Sequence, residues 1–130
     1  MTDLAKYRLE TAAERLEVAR KMIEDEHFRI SITNSYYAMF NAVRALFAEI
    51  PIDFKKHSAV ISYFRREYVK TGAFDVKFSD YIGKAFMARQ YSDYGDFVVV
   101  SREQAEEQYL HAVEFVEAVR KYLEGSNDNR

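Results

Sequence analysis

Apolar positions recur with helical spacing along almost the whole chain, and residues 31–50, SITNSYYAMFNAVRALFAEI, set the pattern. Ile32, Tyr36, Met39, Phe40, Val43, Leu46, Phe47 and Ile50 fall three, four or seven apart, which predicts one helix buried on most of its faces. Beside them runs a polar seam of Asn34, Tyr37, Asn41 and Arg44. A helix this apolar has few faces left for solvent, so these polar groups are expected to be buried or to line a site, and to find partners. Ser35 is expected to bond back to a carbonyl one turn earlier.

The remaining elements read as helices that cover this one. Residues 2–26 form the first, capped by Thr2 or Asp3, with a seam at Ala5, Leu9, Ala12, Leu16, Ala19 and Ile23. That alternation of four and three suits a helix packed lengthwise on others, and the charged remainder reads as a solvated face. Residues 27–29 connect it to the central helix. Pro51 biases Ile50 away from helical geometry, and Asp53 is placed to cap a third helix over 54–70. The stripe of that helix is His57, Val60, Ile61, Phe64 and Tyr68, and Lys55, Lys56, Arg65, Arg66 and Lys70 make it the most basic element. Gly72 suits its end. Phe74, Val76 and Phe78 alternate as a strand would, but no second strand is available to pair with. Residues 73–79 therefore read as a loop or as the entry to a fourth helix over 79–94. The seam of that helix is Phe78, Ile82, Ala85 and Arg89, and Gly95 stops it. Residues 96–100 are apolar but too short and isolated for a sheet. Ser101 and Gln104 match a capping box that opens the last helix, which runs to about residue 124 with a seam at Ala105, Tyr109, Ala112, Val116, Val119 and Leu123. Gly125 and the polar residues 126–130 read as its end. The sum is an all-α chain: an antiparallel up-and-down four-helix bundle with an additional short helix. It is one domain over 1–125, followed by a C-terminal tail at 126–130.

Composition narrows the chemistry. At 130 residues, 48% hydrophobic and 15% aromatic, the chain supports a real core and excludes disorder. It contains no cysteine, which removes disulfides, thiol nucleophiles and cysteine-held metals. Neither a signal-like N-terminus nor an apolar run of membrane-spanning length is present, which points to a cytoplasmic protein with no membrane partner. A net charge of −2 argues against a strong non-specific grip on nucleic acid but leaves room for a local basic patch.

Few residues suggest a reaction. A di-iron site needs paired E-x-x-H motifs; only Glu24–His27 has that spacing, at a helix end and away from the Ile23 seam, so no metal is assigned. There is no P-loop and no nucleophile elbow. Arg89 is different, because it stands where the seam calls for an apolar side chain. Its charge must be paired, with Asp93 one turn on, or must face a cleft. With Tyr91 and Tyr94 nearby, the guanidinium could hold a phosphate beside a stacked base. His57, on the stripe of the basic helix, reads as a satisfied histidine or as a proton donor or phosphate contact near Arg89. Tyr37 and Asn41 of the polar seam complete the candidate nucleotide- or RNA-binding set of Arg89, Asp93, Tyr94, His57, Asn41 and Tyr37.

The N-S-Y-Y-A-M-F-N-A run at 34–42, His57, and Arg89-x-x-x-Asp93-Tyr94 together resemble the HEPN superfamily, most closely its small stand-alone prokaryotic branch. The resemblance implies an all-α bundle that dimerises, no cofactor, and pairing with a minimal nucleotidyltransferase in toxin–antitoxin-like systems. It also implies, in the active members, metal-independent RNase activity from an Arg followed after four to six residues by His. Here that Arg is Arg89 and its polar neighbour is Gln90, but the three allowed histidine positions hold Tyr94, Gly95 and Asp96. The reading that follows is a binding module lacking the RNase histidine. Two others stand beside it: an active RNase toxin using Arg89 with His57 or Tyr94, and a helical interaction protein with no nucleotide site.

Overall fold

A computed structural model describes residues 1–128, with side chains through residue 125. It contains α1 (Asp3–Glu24), α2 (Phe28–Glu49), α3 (His57–Phe64) running into a π-helical turn (Arg65–Val69), α4 (Val76–Tyr94) and α5 (Arg102–Asp128). Among the described residues no strand forms, and the architecture is an all-helical bundle with one short helix. None of the described helices is long and apolar enough to cross a membrane.

The central helix is the one the pattern predicts. α2 packs against α1, α3, α4 and α5, and it buries Tyr36, Met39, Val43, Leu46 and Phe47 almost completely. α1 lies along it most intimately, because Ala5, Ala12 and Ala19 put no bulk between the two backbones. The Thr2 hydroxyl caps α1, accepting from the Ala5 N–H at 3.0 Å. Glu26, at φ 62°, then turns the chain into α2.

Four local expectations need correction. Asp53 does not cap the third helix. Its Oδ1 accepts from the N–H of Phe54 at 2.9 Å and its Oδ2 is held by Arg44 at 3.0 Å. Asp53 is thus fixed in a loop, and α3 starts at His57, with Lys56 as an N-cap that makes no side-chain bond. α4 starts earlier than residue 79, at Val76, because Asp75 Oδ1 accepts from the Lys77 N–H at 2.9 Å. The alternation comes from two rings on either side of the cap: Phe74, just before Asp75, and Phe78, in the first turn, are buried, and Val76 faces out. Ser35 is fully buried with its hydroxyl unpartnered among the described residues, because the back-bond is an optional second bond to a carbonyl already engaged by its helix. It is Ser31 whose hydroxyl bonds, donating to the Ala19 carbonyl at 2.8 Å across the α1–α2 contact. Finally, Gly125 does not end α5. A Cβ there would meet open space, its φ is not positive, and the helix continues to Asp128; residues 129–130 of the expected tail lie outside the described residues.

The remaining landmarks agree with expectation. Gly72 takes φ +88° after the π turn, and Gly95 closes α4 with its N–H on the Tyr91 carbonyl at 3.0 Å. Ser101 and Gln104 form a reciprocal capping box, with bonds of 2.9 and 3.1 Å. Phe115, beside the α5 seam, is buried as deeply as the seam itself and packs on Phe64 and Phe78.

Candidate functional site

Two adjacent tyrosines of α2 form the floor of the site. Tyr36 and Tyr37 meet edge to face with centroids 5.2 Å apart. Successive helical residues point about 100° apart, so one tyrosine turns into the core while the other reaches the flank where α1 and α4 pass. Tyr36 is fully buried, whereas Tyr37 is half-buried.

Arg89 comes to this floor from α4. Its side chain is only 11% exposed, as its seam position requires. Nη1 donates to the Tyr37 hydroxyl at 2.7 Å, and the guanidinium lies 5.1 Å from the Tyr36 ring centre and 5.5 Å from that of Tyr37. The faces of aromatic rings attract such a cation. The ion pair with Asp93 is loose, 3.8 Å from Nε to Oδ2, and Nε is buried with no hydrogen-bond acceptor. Asp93 is half turned away, its Oδ1 accepting from the Thr33 hydroxyl at 3.2 Å. Arg89 is therefore a partial pair: its charge is turned inward on the two tyrosines and only loosely countered by Asp93.

A second guanidinium flanks the same phenol. Arg15 of α1 lies 5.3 Å from the Tyr37 ring centre and donates to Asn34 Oδ1 at 3.0 Å. Asn34 in turn donates to the Ile30 carbonyl at 2.9 Å, and Asn41 to the Tyr37 carbonyl at 2.8 Å. The polar seam of α2 is thus satisfied partly by its own backbone and partly by α1.

His57 approaches from the other side, where α3 begins. Its ring stacks on Phe40 at 4.1 Å, and its Nδ1 lies 2.7 Å from the Tyr36 hydroxyl. Burial, and then the positive charges of Arg89 and Arg44, lower its pKa below the ordinary histidine value. Burial raises that of Tyr36, which stays a phenol. The pair therefore shares one hydrogen bond between two neutral groups at pH 7. His57 and Arg89 are brought to the same tyrosine from different helices. Tyr94 is not brought with them: it is 76% exposed at the end of α4, and among the described residues the guanidinium faces Tyr36 and Tyr37 instead.

Sequence reasoning left out Tyr36, Arg8, Arg15 and Asp53 as site residues. Arg8 and Arg15 are seven apart, which puts them on one face of α1; that spacing was the available signal. Arg8 Nη1 donates to the Arg44 carbonyl at 2.8 Å. Beyond His57 lies an open groove of about 480 Å³ lined by Phe40, Arg44, Asp53, Phe54, Lys55 and His57. Four guanidiniums, of Arg8, Arg15, Arg44 and Arg89, stand against the carboxylates of Asp53 and Asp93. On a chain of net charge −2 this is a local cationic cluster interleaved with flat rings, in which Arg8 and Arg89 are mostly covered, a chemistry suited to phosphates and bases where it reaches solvent.

A model of the HEPN domain matches residues 5–122. A Methanocaldococcus jannaschii protein named "Putative toxin MJ0142" is 33% identical over 93% of this chain and 86% of its own length. A Thermotoga maritima protein named "UPF0332 protein" is 32% identical over 87% of this chain and 86% of its own. A second M. jannaschii protein, "Putative toxin MJ0605", is 30% identical over 88% and 85%.

Proposed function

The chain belongs to the HEPN domain family, and on that premise we propose that it is a binding module for the phosphates of RNA or of a nucleotide. In this reading it is a homodimer and the HEPN half of a pair with a minimal nucleotidyltransferase, acting in a toxin–antitoxin-like system. The toxin names of the two archaeal relatives support the last element. The observation that carries the binding role is Arg89. Its guanidinium is almost buried, rests on two tyrosines, and is only loosely countered by Asp93. A purely structural arginine at a seam position would be expected to close its ion pair, since an unmatched buried charge is costly. Arg89 instead leaves its buried Nε without an acceptor and its Asp93 pair open, and in this reading a phosphate completes the pairing at the guanidinium.

The test pairs thermal melting with titration of a labelled single-stranded RNA at two salt concentrations. Arg89→Lys should keep the fold and weaken binding about tenfold, because lysine cannot reproduce the planar fork. Arg89→Met should weaken it at least as much. RNA binding indifferent to both substitutions would remove the role. Co-purification with a co-expressed neighbouring nucleotidyltransferase tests the pairing.

One observation favours a second reading, catalysis. His57 is held neutral beside Arg89, the state a general base needs, so it could serve where the expected histidine is replaced by Tyr94. Under the binding reading, RNA stays intact in EDTA at neutral pH. Cleavage that survives EDTA and disappears in His57→Gln would establish the RNase instead.

A further inference from the structure

The loop between α2 and α3 seats a carboxylate where an external anion would fit. Asp53 Oδ2 lies 3.0 Å from Arg44 Nη2 and 4.0 Å from Arg8 Nη2. One oxygen thus faces two guanidiniums. The arginines are built in: Arg8 has a side chain only 13% exposed and is anchored on the Arg44 carbonyl at 2.8 Å. The carboxylate is not built in to the same degree, being 51% exposed on a segment outside any helix. An ion pair so exposed contributes little to stability. Beside it opens the groove of about 480 Å³, a size typical of small-ligand sites. The Phe54 ring, the stacked His57–Phe40 pair and Lys55 line it.

We propose that Arg8 and Arg44 form a phosphate subsite for single-stranded RNA that the chain's own Asp53 occupies, and that the adjoining aromatic groove takes a base of the same strand. RNA then displaces the Asp53 carboxylate, and Asp53 acts as an internal competitor that sets the affinity. The inference rests on the RNA-phosphate reading given above and extends it from Arg89 to a second position. His57 joins the two, since its ring lines the groove while its Nδ1 meets Tyr36 beneath Arg89. Arginine forks suit a phosphate better than a lone point charge would, and stacking on rings tolerates any base.

The experiment titrates a fluorescein-labelled 12-mer of oligouridylate into the wild type, Asp53→Asn, Arg44→Gln and the double variant, at low and moderate salt. Asp53→Asn keeps the side chain's shape and an oxygen for the Phe54 N–H, and removes only the charge. It should tighten binding about three- to tenfold with little change in the logarithmic salt slope, because the same phosphate is held in both, whereas Arg44→Gln should flatten that slope by about 0.7, the increment for one single-strand phosphate. Arg44→Gln should loosen binding, and Asp53→Asn should bring no gain in its presence. If Asp53 merely pins the loop, Asp53→Asn will lower the melting temperature and leave the affinity unchanged, which overturns the proposal. Should Asp53→Asn fail to fold, an affinity unchanged by Arg44→Gln overturns it equally. Uridine monophosphate competing as well per phosphate as the oligonucleotide would overturn the assignment to RNA. Arg89→Met separates the two readings. Binding lost in Arg89→Met but unmoved by Asp53→Asn sinks this inference alone. A gain from Asp53→Asn with no loss from Arg89→Met sinks the Arg89 role alone. No binding by any variant sinks both.

Discussion

The Tyr36 hydroxyl joins His57 to the helix that carries everything else in the site. Tyr36→Phe removes the 2.7 Å bond and leaves Nδ1 of His57 unpaired. The expected cost is about 1 kcal/mol, read as a lower urea midpoint with unchanged slope. His57 also makes stability depend on pH. Its pKa is lowered in the folded chain, first by burial and then by Arg89 and Arg44, while the unfolded chain titrates near the ordinary value of about 6.5. Protons therefore bind the unfolded state more readily. The stabilisation is complete above about pH 6.5 and is lost as pH falls through the lowered folded value. The melting temperature should drop between pH 7.5 and 5.5, and His57→Gln should flatten that drop; an equal drop in the variant would assign it to other groups. Burial raises the carboxyl of Asp53, but Arg44, the Phe54 N–H and Arg8 together outweigh it and hold it below the ordinary value, so it acts in a separate and more acidic window. At this scale the sequence was informative only where a residue broke a pattern. Arg89 stood out because a charge interrupted an apolar seam, and His57 because it sat on an apolar stripe. Tyr36 looked like core and Arg15 like solvated surface, since their partners come from other helices and no periodicity along one element reports that.

Elements were more legible than contacts, because burial stamps its period on the chain. Most of the 4-3 seams of α1 and α5 emerged as read, with Ala5, Ala12, Ala19, Ala105, Ala112 and Val119 all inaccessible, but Leu16, Ile23 and Tyr109 are half-buried while Gln108 and Phe115 beside the α5 seam are buried. Ambiguity stayed where a segment was short: residues 73–79 read as a loop or as the entry to α4, and they are both, a loop as far as Asp75 and helix from Val76, with the Asp75 capping bond fixing the boundary. Caps are also where elements can be tested cheaply. Ser101→Ala breaks one half of the reciprocal box that starts α5 and should cost about 1 kcal/mol, visible as a melting point lower by about 4 °C in a chain of this size. Gly125 offers the opposite sign. It sits within α5 with open space where a Cβ would go, so Gly125→Ala should stabilise the helix by up to about 1 kcal/mol, less to the extent that the terminal turn frays. A destabilised Gly125→Ala would mean that the helix does end there, as glycine's usual role suggested.

For the whole molecule, the apolar surface around the end of α4 has not been accounted for. Met87 is 63% exposed, Tyr91 65%, Tyr94 76%, Val99 88% and Phe97 wholly so. Phe97 also holds φ 55°, a left-handed backbone that a bulky residue adopts only when its surroundings impose it. Single exposed apolar residues are ordinary, but a contiguous group marks an interface. The proposed homodimer would place that group against a second copy. Met87 and Tyr91 stand two residues to either side of Arg89, which turns them to the opposite side of α4 from it, so closure over this face would leave each Arg89 site on its own flank of the dimer. Light scattering at micromolar concentration should then give about twice the chain's 15.3 kDa. Phe97→Ser with Val99→Ser should move the mass to that of one chain and leave the helical signal intact. Tyr7→Ser, which removes an equally exposed aromatic from α1, should change nothing. A wild type that stays at 15.3 kDa across that range would dismiss the dimer. RNA titration of the monomeric variant then divides the remaining possibilities. Each Arg89 is held by side chains of its own chain, Tyr36, Tyr37 and Asp93, so a monomer should bind RNA in an Arg89-dependent way. Its affinity should fall below that of the dimer only by the loss of having two linked sites on one strand.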